Sequence, residues 1–101
     1  MNLYRQGDVL IRQIGSLPTQ KATKRENGVL AYGEVTGHAH RVEQLHQAEV
    51  VEVGDNLFLR VGEEGVRIVH DEHAPIFLDP GNYQITIQRE YSPEAIKNVE
   101  D

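Results

Sequence analysis

NYQITIQREY, residues 82–91, is the stretch that decides the fold class. Tyr83, Ile85, Ile87, Arg89 and Tyr91 fall on one side of an extended chain, while Gln84, Thr86, Gln88 and Glu90 fall on the other. Successive strand side chains point to opposite faces, so this alternation predicts a half-buried β-strand. Just upstream, Asp79-Pro80-Gly81-Asn82 predicts a turn, because proline presets φ and glycine supplies the positive φ of a tight reversal. APIFL, residues 74–78, is then a short strand entering that turn.

The same logic divides the rest of the chain. GDVLIRQI (7–14), GVLAYGEVT (28–36), AEVVEV (48–53), NLFLRVG (56–62) and GVRIVH (65–70) read as strands, with turns at Gly54-Asp55-Asn56 and Gly62-Glu63-Glu64-Gly65. His38 and His40 lie on a further extended segment. The expected fold is all-β, a small antiparallel barrel or sandwich of about 7–8 short strands. A short C-terminal helical turn is expected after Ser92, where serine can cap, Pro93 suits the first helical position and Glu94 complements the dipole. No repeat or low-complexity segment interrupts residues 1–101, a length suited to a single domain with one core.

Composition narrows the function classes. Ten Lys and Arg against 16 Asp and Glu give a formal charge of −6, which opposes a nucleic acid partner. The basic cluster Lys21, Lys24 and Arg25 sits in the polar segment QKATKRENG (20–28), which reads as a solvated loop. No window approaches the roughly 20 apolar residues of a membrane span. With no secretory leader pattern at the N-terminus, the expected location is cytoplasmic. Cysteine is absent, so disulfides, thiolate ligands and a cysteine nucleophile are excluded. There is no phosphate loop or dinucleotide fingerprint, and Ser16 and Ser92 sit beside loop and cap signals, so no reaction is assigned.

Chemistry concentrates in the histidines. Four of the five form two tight pairs, His38 with His40 in GHAHRV and His70 with His73 in HDEH. Residues two apart on a strand share a face, so His38 and His40 can present adjacent imidazoles to one ion. A three-residue spacing suits a chain reversal, so GVRIVH is expected to break at Asp71-Glu72 and fold His73 back beside His70. Neutral imidazoles without thiolates point to a divalent transition metal, Zn²⁺, Fe²⁺, Ni²⁺ or Mn²⁺. Glu43 and Glu72 are the carboxylates near enough in sequence to act as ligand or base. His46, in QLHQ, has no nearby partner and reads as exposed, and Asp8 reads as a turn residue.

GEVTGHAHRVE resembles the first motif of the cupin superfamily, small β-barrels that bind a metal through two histidines, a glutamate and a later histidine. The resemblance implies His38 and His40 as the pair, Glu43 as the carboxylate, and His70 or His73 as the distant ligand. Glu43 stands one position earlier than the motif places it, and Pro80-Gly81 follows the last histidine instead of preceding it. From QGDVLI through TGHAHRV and HDEHAPIFL to GNYQITIQREY, the chain also resembles a group of small uncharacterised β proteins of bacteria and their phages, which implies no activity.

Two functions compete. One is a metal-binding β-domain using His38, His40, His70 and His73. The other is a non-enzymatic homo-oligomeric module whose histidines line a small-molecule pocket or a subunit interface. A third reading makes the histidines a pH switch.

Overall fold

A computed structural model describes residues 2–18, 22–32 and 38–87. They form ten strands: β1 (Leu3–Gln6), β2 (Val9–Ile14), β3 (Thr23–Arg25), β4 (Val29–Tyr32), β5 (Ala39–Val42), β6 (Ala48–Val53), β7 (Asn56–Val61), β8 (Val66–His70), β9 (His73–Leu78) and β10 (Gly81–Ile87). The only helical element among the described residues is a single 3₁₀ turn at Leu45–Gln47. No described helix is long and apolar enough to cross a membrane.

The strands make two antiparallel sheets. One has six strands in the order β1-β2-β10-β7-β6-β3, and the other has four in the order β4-β5-β8-β9. Neither closes into a barrel, because β1 and β3 end the first sheet while β4 and β9 end the second. Of the expected barrel or sandwich, the closed barrel is therefore set aside for two open sheets, and the count of described strands is ten instead of 7–8. The two additional strands are β1 and β3. β3 lies within the segment read as a solvated loop, where Thr23, Lys24 and Arg25 pair with Glu52, Val51 and Val50 of β6. Its side chains carry no apolar alternation, because it is an edge strand held by the backbone ladder. The expected helical turn after Ser92 lies outside the described residues, as do positions 88–91 of the expected last strand.

Both sheets contribute to one core. Val9, Ile11, Leu59, Val61, Tyr83 and Ile85 come from the larger sheet, and Leu30, Val42, Val66, Ile68 and Leu78 from the smaller. Each fully buried aliphatic side chain contributes roughly 1.5–3 kcal/mol by leaving water. The alternation of β10 is realised at Tyr83 and Ile85, whereas Ile87, at the strand end, is 41% exposed. β10 lies between β2 and β7, with Ile85 opposite both Ile11 and Leu57. The buried Tyr83 hydroxyl donates to the Asp79 carbonyl at 2.6 Å, so the ring enters the core without an unpaired polar atom.

Candidate metal centre

The smaller sheet and the first hairpin meet at the histidines. On β5, the strand alternation predicted from the sequence puts His40 and Val42 inward, leaving Arg41 exposed. β5 pairs antiparallel with β8 through Arg41↔Val69 and Val42↔Ile68, and one more step of that register sets His40 opposite His70. β8 then reverses at Asp71-Glu72, and His73 returns as the first residue of β9, paired with His70. The predicted fold-back of the second pair is thus present.

All four paired imidazoles occupy one region. The His70 ring lies 4.3 Å from His40, 4.7 Å from His73 and 5.8 Å from His38, centroid to centroid. His40 and His73 are 5.8 Å apart and nearly parallel, at 14°. His46 is elsewhere, exposed on the 3₁₀ turn. Glu43 is also apart from the cluster: its polar partners are Arg67, at 3.4 Å, and Gln44, at 3.0 Å. The carboxylate role implied for Glu43 is corrected accordingly. The residue follows the end of β5, where the chain turns away from the rings towards Gln44.

Two residues that the sequence reading did not assign to the site complete this region, and both belong to the β1–β2 hairpin. Gln6 is 2% exposed, and its amide nitrogen donates to the carbonyls of Ile68, at 3.0 Å, and Ala74, at 2.8 Å. Both amide hydrogens are thereby used, so the Gln6 Oε1 that lies 2.9 Å from His40 Nδ1 must accept. His40 therefore carries a proton on Nδ1, and in the neutral ring Nε2 holds a lone pair. This is the arrangement by which outer partners orient a ligating imidazole. Tyr4 and Gln6 alternate inward while Leu3 and Arg5 are exposed, but four residues are too few for that period to reveal Gln6 in the sequence.

Asp8 stands on the hairpin turn, with Oδ1 3.5 Å from His40 Nε2. Gly7 precedes it at φ 62°, a conformation that side chains rarely adopt, and a Cβ there would lie 2.7 Å from His73 Nε2. Glycine lets the turn settle onto the His73 ring.

The remaining two imidazoles differ from His40. His70 Nδ1 accepts the Glu72 backbone N–H at 3.0 Å, so the neutral ring keeps its proton on Nε2. His38 Nδ1 is buried and has no hydrogen-bond partner among the described residues; Glu72 Oε2 is 3.6 Å away, too far for a bond. Burial pushes the His40 pKa below its ordinary value, and the neighbouring His70 and His73 push the same way, while Asp8 opposes them. Among the described residues, no three His, Asp or Glu side chains stand in a metal-ligating arrangement. The imidazoles are grouped without converging on a common point.

Residues 5–88 match the model of a family described as a domain of unknown function (DUF8820). The match carries no link to cupins or to phage proteins. Comparison with curated proteins and with solved structures gives no match. The matched span runs from the strand before the Gly7-Asp8 turn to the end of β10 and includes all four clustered histidines, so the chain belongs to the DUF8820 family.

Proposed function

We propose that this chain binds one divalent transition metal ion, Zn²⁺, Fe²⁺, Ni²⁺ or Mn²⁺, at the cluster of His38, His40, His70 and His73. One observation carries the reading: imidazoles from two distant segments share one region, and the most buried of them, His40, has its Nε2 lone pair turned away from the hydrogen bond that its Nδ1 makes to Gln6. The spacing is compatible with shared coordination. Imidazoles bound at 2.0–2.1 Å and separated by 90–110° about an ion have ring centres about 4.5–5.3 Å apart. Four of the six ring pairs stand 4.3–5.8 Å apart, a range that brackets that span.

The four rings are not equivalent in this role. His40 is oriented to ligate without breaking a bond. His70 ligates through Nε2 only after moving its proton to Nδ1 and giving up the Glu72 N–H. His38 offers a buried Nδ1 that has no hydrogen bond to give up among the described residues. The test is metal analysis of protein purified without a histidine tag, followed by calorimetric titration with Zn²⁺ and Ni²⁺. One ion per chain, lost when the four histidines become alanine, supports the reading. No bound metal and no measurable affinity overturns it.

A homo-oligomeric module is the second reading, favoured by one feature. β9 is the outer strand of the smaller sheet, and it exposes Phe77, which is 56% accessible. Edge strands of this kind pair readily with another copy. Light scattering that shows a dimer dissociated by Phe77→Lys supports this reading; a monomer at all concentrations removes it.

A further inference from the structure

We propose that Asp8 is a carboxylate ligand of the same ion as His40, which makes the centre a mixed imidazole and carboxylate site. The inference rests on the metal reading above and adds a donor from a third segment of the chain. Its basis is a pair of acceptors facing each other. Gln6 spends both amide hydrogens on Ile68 and Ala74, so its oxygen takes the His40 Nδ1 proton and leaves a lone pair on Nε2. The group that Nε2 faces is Asp8 Oδ1, another lone-pair donor, at 3.5 Å. Two such atoms repel unless a cation lies between them or a proton bridges them.

The distance separates those two possibilities. A charge-assisted N–H···O bond closes to about 2.7–2.9 Å. Two donor atoms bound at 2.0–2.1 Å to one ion, at 90–110°, stand about 2.8–3.4 Å apart. The gap of 3.5 Å lies just outside the span for one coordination sphere and well outside that of a direct charge-assisted hydrogen bond. The same turn approaches a second imidazole, since a Cβ on Gly7 would lie 2.7 Å from His73 Nε2. Asp8 and His40 thus supply one carboxylate and one imidazole, with the His73 ring beside the Gly7 backbone. That donor set leaves positions open for water or an oxygen ligand and admits Mn²⁺ and Fe²⁺ alongside Zn²⁺.

Co²⁺ is the probe, since its visible absorption reports the ligand set directly. Wild type, Asp8→Asn, Asp8→Ala and His40→Ala are titrated with Co²⁺ and their spectra read at saturation, with far-ultraviolet circular dichroism confirming that each is folded. Binding at least a hundredfold weaker in both Asp8 variants, with shifted bands for the Co²⁺ driven on at high concentration, supports the assignment. Outer-shell partners cost about 10–100-fold, so a smaller loss or an unchanged spectrum, with binding still abolished in His40→Ala, overturns the Asp8 assignment alone. If wild type binds no Co²⁺, the metal reading and this assignment fall together.

Discussion

The outer surface of the larger sheet and the imidazole end of the smaller one use charge in opposite ways. On β3, β6 and β7, charges are matched across strands. Glu49 lies 3.5 Å from Lys24 and 3.1 Å from Arg60, and Glu52 is bonded to Arg25. Their side chains are 30–65% exposed, so solvent screens them and each pair contributes little. At the imidazole end, polar atoms are more deeply buried and incompletely matched. His40 Nε2 faces a carboxylate oxygen, and His38 Nδ1 has no hydrogen bond among the described residues. Buried polar atoms are nearly always paired, so the unpaired His38 Nδ1 marks a place where something other than stability is served. The first region pairs its charges across strands, whereas the second holds a buried imidazole nitrogen that no described neighbour satisfies.

The contrast predicts unequal costs of mutation. Gln6→Ala carries the largest: it strips the Ile68 and Ala74 carbonyls and His40 Nδ1 of their partner at once. A loss of roughly 2–4 kcal/mol is expected in urea unfolding. A loss below about 1 kcal/mol would mean that Gln6 does not brace the ring. Gly7→Ala comes next, at about 1–2 kcal/mol, from a side chain held at φ 62°. Because the new Cβ displaces the His73 ring, Zn²⁺ affinity should fall along with stability in this variant, whereas a backbone effect alone leaves affinity unchanged.

These two positions also mark the limit of what the sequence disclosed. Strands β2, β8 and β10 were legible because inward apolar residues alternate, and β6 and β7 because short apolar runs are bounded by glycine turns. β1 and β3 were not, since four and three residues are too few to establish a period, and Thr23, Lys24 and Arg25 carry no apolar signal. The pairing of His70 with His73 was legible from the reversal at Asp71-Glu72, a local event. The contributions of Gln6 and Asp8 were hidden because they depend on β1 lying against β9, a contact between segments far apart in sequence. Gly7-Asp8 has a sufficient local explanation as a hairpin turn, and that explanation conceals its neighbours.

A smaller effect separates the two regions by pH. Folding lowers the His40 pKa, so below its ordinary value near 6.5 the unfolded chain binds the proton more readily. The stability that a neutral His40 preserves is therefore present above about pH 6.5 and is lost as pH falls through that value towards the lower folded one. Urea unfolding of metal-free protein should show lower stability at pH 5.5 than at pH 7.5, and His40→Gln should flatten that slope. An equal slope in the variant would assign the effect to other groups. The smallest change is expected from Glu49→Gln, under about 1 kcal/mol, because its two partners are solvent-exposed. A larger loss would show that the surface pairs act as a network.

The central claim is that the clustered imidazoles have a common centre that a metal ion can occupy. It is tested most directly by a crystal of the untagged protein soaked in Zn²⁺, with anomalous scattering measured on both sides of the zinc edge. The account predicts one strong peak at bonding distance, about 2.0–2.1 Å, from His40 Nε2, with His73 turned onto it. Zinc found only at His46 or other surface sites, with the imidazole cluster empty at saturating Zn²⁺, would contradict it.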